Sequence, residues 1–279
     1  MATATLLALG SAALHAGWNL LLKRSDERVL TAWGFYLAGG VIFLPVFLFE
    51  TPSGDTLPYI AISSFVHVAY ILALSRAYHH GDLSLSYPLA RGGGALLAAA
   101  GGVLFLSDEL SGLEWLAISV VVLGLASLVR PSSHRAALLF AGLTALTIGT
   151  YTTLDAAGAR KAGGDTWSAF AYGAALVLGS GVAMTLVGSA MGQGGAFVRA
   201  VRRDWRRFLV GGLASTLAYS MVLAAYRLGP VGYGAALRES SVVLGAGAGW
   251  LLLHERMGRA RLVSAAVIAA GLVLLVAAR

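Results

Sequence analysis

Two stretches carry the residues best able to do chemistry. Tyr87-Pro-Leu-Ala-Arg91-Gly-Gly-Gly94 and Ala235-Ala-Leu-Arg238-Glu239-Ser-Ser241 each place charge about a third of the way into a long apolar run. Charge in hydrocarbon costs about 2.5–3.5 kcal/mol on insertion scales, so such residues face a cavity or a partner. Arg91 lies about 12 Å deep at 1.5 Å per residue. Glu239 reaches a similar depth from the opposite face. Two roles stand open for the pair. It is either a structural bridge that neutralises both charges, or a direct site. In the second role Arg91 or Arg238 grips a substrate carboxylate or phosphate, and Glu239 binds an amine or carries a proton. Two arginines against one glutamate leave a positive charge over.

Other polar residues fall inside apolar runs. His15, Trp18 and Asn19 stand at i, i+3 and i+4, on one helix face. That face serves either interhelical hydrogen bonding, worth about 0.6 kcal/mol in such settings, or a cavity wall with a titratable imidazole. Tyr151 and Asp155 repeat the spacing. Asp155 is either a proton carrier or a partner of Arg160 or Lys161 near the membrane surface. Tyr70 and Tyr219 occupy matching places in their runs, and Tyr87 precedes Arg91 by one turn. The proton-coupling candidates are Glu239, Asp155 and His15. His67, His79 and His80 sit near run ends and read as interfacial. No His, Asp and Glu set has metal-binding spacing, and without cysteine no thiol chemistry is available; no metal or cofactor is expected. Gly92-Gly-Gly94 lacks the strand-turn-helix setting of a phosphate loop. Gly245 and Gly249 have the spacing of closely packed helices, and Pro88 removes a backbone donor beside Arg91. Gly179-Ser180-Gly181 resembles a hydrolase nucleophile, yet no base is suitably placed for it.

These residues are positioned by an apolar chain of 279 residues that is 58% hydrophobic and 12% charged. Soluble domains are about 25% charged. Apolar blocks of about twenty residues match the length that crosses a bilayer as a helix, and no sustained alternation suggests a barrel. Ten spans fit: 3–22, 30–49, 58–78, 83–106, 114–130, 137–157, 167–188, 208–227, 231–253 and 262–278. The first run lacks a basic leader region and reads as a span, not a signal peptide. The net charge of +7 sits between spans and serves orientation and lipid headgroups, not nucleic acid. Residues 188–207, with Arg199, Arg202, Arg203, Arg206 and Arg207 around Trp205, read as a short interfacial helix.

Ala77-Tyr78-x-x-Gly81 recurs as Ala225-Tyr226-x-x-Gly229, and Leu106-Ser-Asp-Glu109 as Leu252-Leu-His-Glu255. The spacing between anchors is nearly constant, so two halves are expected, 1–133 and 134–279. Five spans per half inverts the second copy, the plan of many secondary transporters. Lysine and arginine concentrate in the first, third, fifth, seventh and ninth links, which places those links in the cytoplasm and both termini outside.

The chain resembles the drug/metabolite transporter superfamily, in particular its EamA-type members with two five-helix repeats. His15-Ala-Gly-Trp18-Asn19, the Tyr-x-x-Gly before span four, Leu-x-x-Glu109 and the Glu255–Gly258 copy carry the resemblance. It covers the whole chain. The resemblance implies an all-α, multi-pass protein of the bacterial cytoplasmic membrane, a secondary transporter and not an enzyme. Members commonly export amino acids or other small metabolites; they usually keep both termini in the cytoplasm, where this charge pattern departs. The expected function is proton-coupled export or exchange of a small polar or zwitterionic metabolite, by alternating access at a midplane site. Its substrate residues would be His15, Trp18, Asn19, Tyr70, Tyr87, Arg91, Tyr151, Tyr219, Arg238 and Glu239. The alternative is a translocator of lipid-linked, sugar-phosphate or nucleotide-sugar substrates; an intramembrane enzyme is the remaining rival. Beyond substrate, lipid and protons the sequence asks for no partner, and both monomer and homodimer fit it.

Overall fold

A computed structural model describes residues 1–80, 83–127, 135–244 and 259–279, without the side chains of residues 23, 83–88, 166 and 259–261. The expected roles of Tyr87 and Pro88, the Gly245–Gly249 spacing and the Glu255 copy therefore lie outside the described residues.

Among the described residues ten α-helices follow one another, besides a helical stretch at 240–244: α1 (Ala2–Lys23), α2 (Arg28–Ile42), α3 (Leu57–His80), α4 (Leu83–Leu106), α5 (Gly112–Ala126), α6 (Arg135–Lys161), α7 (Thr166–Ala190), α8 (Gly194–Leu228), α9 (Val231–Arg238) and α10 (Arg259–Ala277). There is no strand among the described residues. Seven helices are long and apolar enough to cross a membrane, and α5 and α10 are shorter apolar helices. Their outer faces are apolar: Leu104 and Phe105 on α4 are 74% and 77% exposed. A chain in water hides such side chains, whereas hydrocarbon solvates them. This is an integral multi-pass membrane protein.

Helix ends follow local chemistry. Ser111 and Glu114 form a reciprocal capping box at the start of α5, which satisfies two otherwise orphaned N–H groups. Asp165 caps α7 by accepting from the Ser168 N–H at 2.8 Å. The Ser168 N–H and O–H hold the Asp165 carboxyl below its usual range. Two expectations are corrected. The ninth span is not one continuous helix, because α9 ends at Arg238 and Glu239 forms a turn before helix resumes at 240–244. Residues 194–203 are helical but continuous with α8, broken only by non-helical backbone at Asp204.

The described helices pack in reciprocal pairs. α1 lies on α8 and α3 on α6, while α2 meets α7, α4 meets α9, and α5 meets α10. Close approach depends on glycine where α2 crosses α8. A Cβ at Gly39 would fall 2.1 Å from Thr216 Oγ1 and 2.8 Å from the Gly212 carbonyl oxygen. The first and last residues share one end of the molecule. Met1 approaches Gly229, and Arg279 bonds Glu114 at 2.5 Å and the Glu109 carbonyl at 3.2 Å.

Candidate functional site

Near mid-length of the long helices, α1, α2, α3, α6, α7, α8 and α9 surround a cavity of about 50 Å³. That volume holds a few waters, far less than the 300 Å³ or more typical of a small-molecule site. His15, Trp18, Tyr70, Tyr151, Tyr219 and Arg238 line it, as expected. Asn19 is half-buried and does not. It lies one residue past Trp18, far enough around α1 to leave the cavity wall.

The charged stretches meet as their depths require. Arg91 Nη2 lies 2.6 Å from Glu239 Oε1, and its Nε donates to Oε2 at 3.2 Å. Both residues are at most 5% exposed. The two parallel contacts satisfy both carboxylate oxygens, so Glu239 is fully engaged within the protein. The turn at Glu239 re-aims the chain, so Arg238 and Glu239 point to different partners. The charge left over belongs to Arg238, itself 7% exposed. Its Nη2 lies 3.1 Å from His15 Nδ1, and its guanidinium carbon sits 5.4 Å above the Tyr219 ring centroid. A guanidinium only donates, so His15 Nδ1 is the acceptor and its proton, when neutral, is on Nε2. The His15 ring meets Trp18 edge-on at 4.6 Å.

Asp155 is wholly buried and does not pair with Arg160 or Lys161. Its Oδ2 accepts a short hydrogen bond from the Tyr219 hydroxyl. Facing it is His67, which the sequence reading placed at the interface. His67 is 5% exposed, stacks on Tyr151 at 4.1 Å, and puts Nε2 3.9 Å from Asp155 Oδ2. His67 falls at the middle of α3, as it does of the expected span 58–78, so it was never a run-end residue; His79 and His80 are exposed at the end of the helix, as expected. Three buried polar atoms on cavity-lining residues have no hydrogen-bond partner among the described residues, Trp18 Nε1, Ser180 Oγ and Arg238 Nε, nor has Asp155 Oδ1 just behind the wall formed by His67 and Tyr219. Buried polar groups are otherwise paired in more than nine cases of ten. Ser180, the hydrolase-like serine, thus has no base bonded to it.

Sequence reasoning also missed a cluster at the end of the molecule that holds the termini. Arg160 Nη2 pairs with Asp108 Oδ1 at 2.6 Å and donates to the Gly229 carbonyl at 3.2 Å. Its other nitrogens reach the carbonyls of Tyr226 at 3.0 Å and Leu106 at 3.3 Å. Asp108 Oδ2 accepts from the Val231 N–H at 2.7 Å and so caps α9, where a carboxylate also suits the helix dipole. One ion pair ties α4, α6, α8 and α9 together. At the opposite end a second cavity of about 190 Å³, lined by Val29, Trp33, Leu72, Arg76, Met184 and Gln193 among others, lies one to two helical turns from the central one. Trp33 and Val68 face this vestibule, while Ala32, His67 and Ile71 face the central cavity, so α2 and α3 form the wall between the two.

A helical, membrane-spanning body around a small, largely aromatic-lined central cavity defines a class of multi-pass membrane proteins. The profile of the EamA-like transporter family matches residues 135–277. The chain belongs to that family, within the drug/metabolite transporter superfamily, and the family is one of transporters. A search of the curated proteins returned no match. A solved crystal structure aligns over 100% of this chain and 99% of its own, with a TM-score of 0.71 and 16% identity, which shows a shared fold.

Proposed function

We propose that the protein is a proton-coupled secondary transporter of a small polar or zwitterionic metabolite such as an amino acid, working by alternating access. The observation that carries this reading is the set of unpartnered buried atoms at and beside one small central cavity. Arg238 Nε and Trp18 Nε1 are donors to an anionic group, Asp155 Oδ1 is an acceptor, and Tyr70, Tyr151 and Tyr219 are apolar walls. One free guanidinium suits a monoanionic carboxylate better than a doubly charged phosphate, and Arg91 is committed to Glu239. The reciprocal helix pairing supports two inverted halves, 1–133 and 134–279. Exchanging each helix with its counterpart five along turns the α1–α8 contact into α6–α3 and returns α2–α7, α4–α9 and α5–α10 to themselves. Alternating access then opens the Arg160–Asp108 end and the vestibule end in turn. By the distribution of arginine the vestibule faces the cytoplasm and the termini face outward.

A thermal-shift screen of the purified protein tests the site. Amino acids, amines, organic acids and phosphorylated metabolites are compared on wild type and Arg238→Gln. A ligand at a hundred times its dissociation constant adds about 2.7 kcal/mol of apparent stability. The expected result is stabilisation of wild type by a carboxylate-bearing compound and its loss in Arg238→Gln. A ligand retained by the folded mutant would remove Arg238 from the site. No stabilisation by any class, with no uptake into sealed vesicles, would defeat the reading.

A further inference from the structure

We propose that His67 and Asp155, braced by Tyr219, are the site that holds the coupled proton; this rests on the transport reading above and gives it a place. Three groups compete for the role, and geometry separates them. Glu239 has both oxygens taken by Arg91, so adding a proton there dismantles a buried ion pair. His15 turns Nδ1 to the Arg238 guanidinium, which only donates, so that nitrogen is closed to a proton.

At His67 and Asp155 the opposite holds. His67 Nδ1 lies 3.0 Å from the Ser63 carbonyl oxygen, which only accepts, and 3.3 Å from the Ser63 hydroxyl, which can accept or donate; the shorter contact to the carbonyl favours the ring hydrogen on Nδ1. The neutral ring then presents a bare Nε2 to Asp155 Oδ2 at 3.9 Å, acceptor facing acceptor. The stack on Tyr151 and the edge contact of Tyr36, 6.1 Å away, fix the ring in that pose. Among the described residues Asp155 Oδ1 has no close hydrogen-bond partner, while Oδ2 accepts from the Tyr219 hydroxyl and the Ser63 hydroxyl also faces the carboxyl. A proton on either Nε2 or the carboxyl turns the facing acceptors into a donor and an acceptor. The step involves no other bond: the proton adds to a lone pair and leaves from it.

The surroundings set what this proton does. Phenols face the pair from α2 (Tyr36), α6 (Tyr151) and α8 (Tyr219), with Tyr172 of α7 one turn away against Gly158. The nearest uncompensated charge is Arg238 of α9, over the Tyr219 ring; Arg91 of α4 and Glu239 sum to zero. With the proton absent, the Asp155 anion offsets Arg238 across the Tyr219 ring. With the proton bound, Arg238 carries a charge that an anionic ligand group can match. Proton and ligand carboxylate therefore strengthen one another's binding, and by the same factor in each direction.

Infrared difference spectra of the reconstituted full-length protein, recorded across a pH titration without ligand, test the site. The expected result is a titrating carboxylic-acid C=O band that shifts on labelling aspartate with ¹³C in the unmutated chain. The band disappears in Asp155→Asn, changes frequency in His67→Gln, and survives the double substitution Arg91→Gln, Glu239→Gln. Labelled aspartate needs no mutation, so a variant that fails to fold does not blunt the test. A band that ignores aspartate labelling, that persists in Asp155→Asn, or that is absent altogether overturns the proposal. Each of those results leaves the transport reading intact, because that reading is tested by ligand stabilisation and uptake.

Discussion

Replacing Arg160 by Gln should open the cavity from the end that holds the termini. Arg160 supplies an ion pair to a carboxylate whose side chain is 6% exposed, and it holds three carbonyls at the ends of two helices, α4 and α8. Breaking a buried pair by removing one partner costs about 3–5 kcal/mol. The Arg160 side chain is 27% exposed, and Asp108 keeps the Val231 N–H, so about 2–3 kcal/mol is the better figure. At a factor of ten per 1.4 kcal/mol, the ratio of open to closed forms should rise between about 30- and 150-fold.

The chain has no cysteine, so a single Ser215→Cys on the cavity wall is a clean reporter. Its rate of modification by a membrane-impermeant thiol reagent, added from the side of the termini, should rise by that ratio in Arg160→Gln. Arg203→Gln is the control. Arg203 and Glu27 also lie 2.6 Å apart, but their side chains are 62% and 44% exposed, and exposed pairs contribute little. An unchanged rate in Arg160→Gln, or an equal rise in Arg203→Gln, would refute the assignment of closure to this ion pair.

Arg91→Gln should lower the thermal unfolding temperature steeply, by the equivalent of about 3–5 kcal/mol, because it strands the Glu239 carboxylate. The double variant Arg91→Gln, Glu239→Gln should recover most of that loss in the same assay. Gly39→Leu should destabilise by about 1–3 kcal/mol or more, since its side chain would enter the Gly212 backbone. Gly17→Ala, whose Cβ would meet nothing within 4 Å, should instead stabilise α1 by about 0.5–1 kcal/mol. Tyr219→Phe should fold but lose the hydrogen bond to Asp155, lowering the unfolding temperature by the equivalent of about 1.5–3 kcal/mol for a bond to a charged group.

Seven of the ten expected spans were legible because apolar blocks of bilayer length stand out. The meeting of Arg91 with Glu239 was legible for a related reason: two charges at matched depth have few partners other than each other. What stayed hidden depends on contacts between segments distant in sequence. Asp108 sits in a short link and Arg160 at a helix end, positions where charge is ordinary and carries no signal. Nothing local tells that Arg160 reaches three carbonyls across two helices. His67 was misplaced because it was grouped with His79 and His80 at the run end, although it stands at the middle of the expected span 58–78 as it does of α3. Asn19 was read as a cavity residue from a face that is broader than the cavity it meets.

The closing ion pair and the buried polar cluster are carried on the same three helices. Asp155 and Arg160 lie about 7.5 Å apart along α6, Tyr219 and Tyr226 about 10.5 Å apart along α8, and Val231 and Arg238 about 10.5 Å apart along α9, at 1.5 Å per residue. Each of these helices therefore has one point held by Arg160 or Asp108 and another within the group of Asp155, Tyr219 and Arg238. A helix segment of two or three turns is stiff against bending, so its two points move together. On the proposed proton site, a proton arriving at Asp155 would relax the attraction towards Arg238 and change the preferred spacing of α6, α8 and α9 at the cavity. The same change would reach, one to two turns away, the carbonyls of Tyr226 and Gly229 that lie 3.0 and 3.2 Å from Arg160. Under that proposal, charge at the centre and closure at the end would be two readings of one relative placement of three helices.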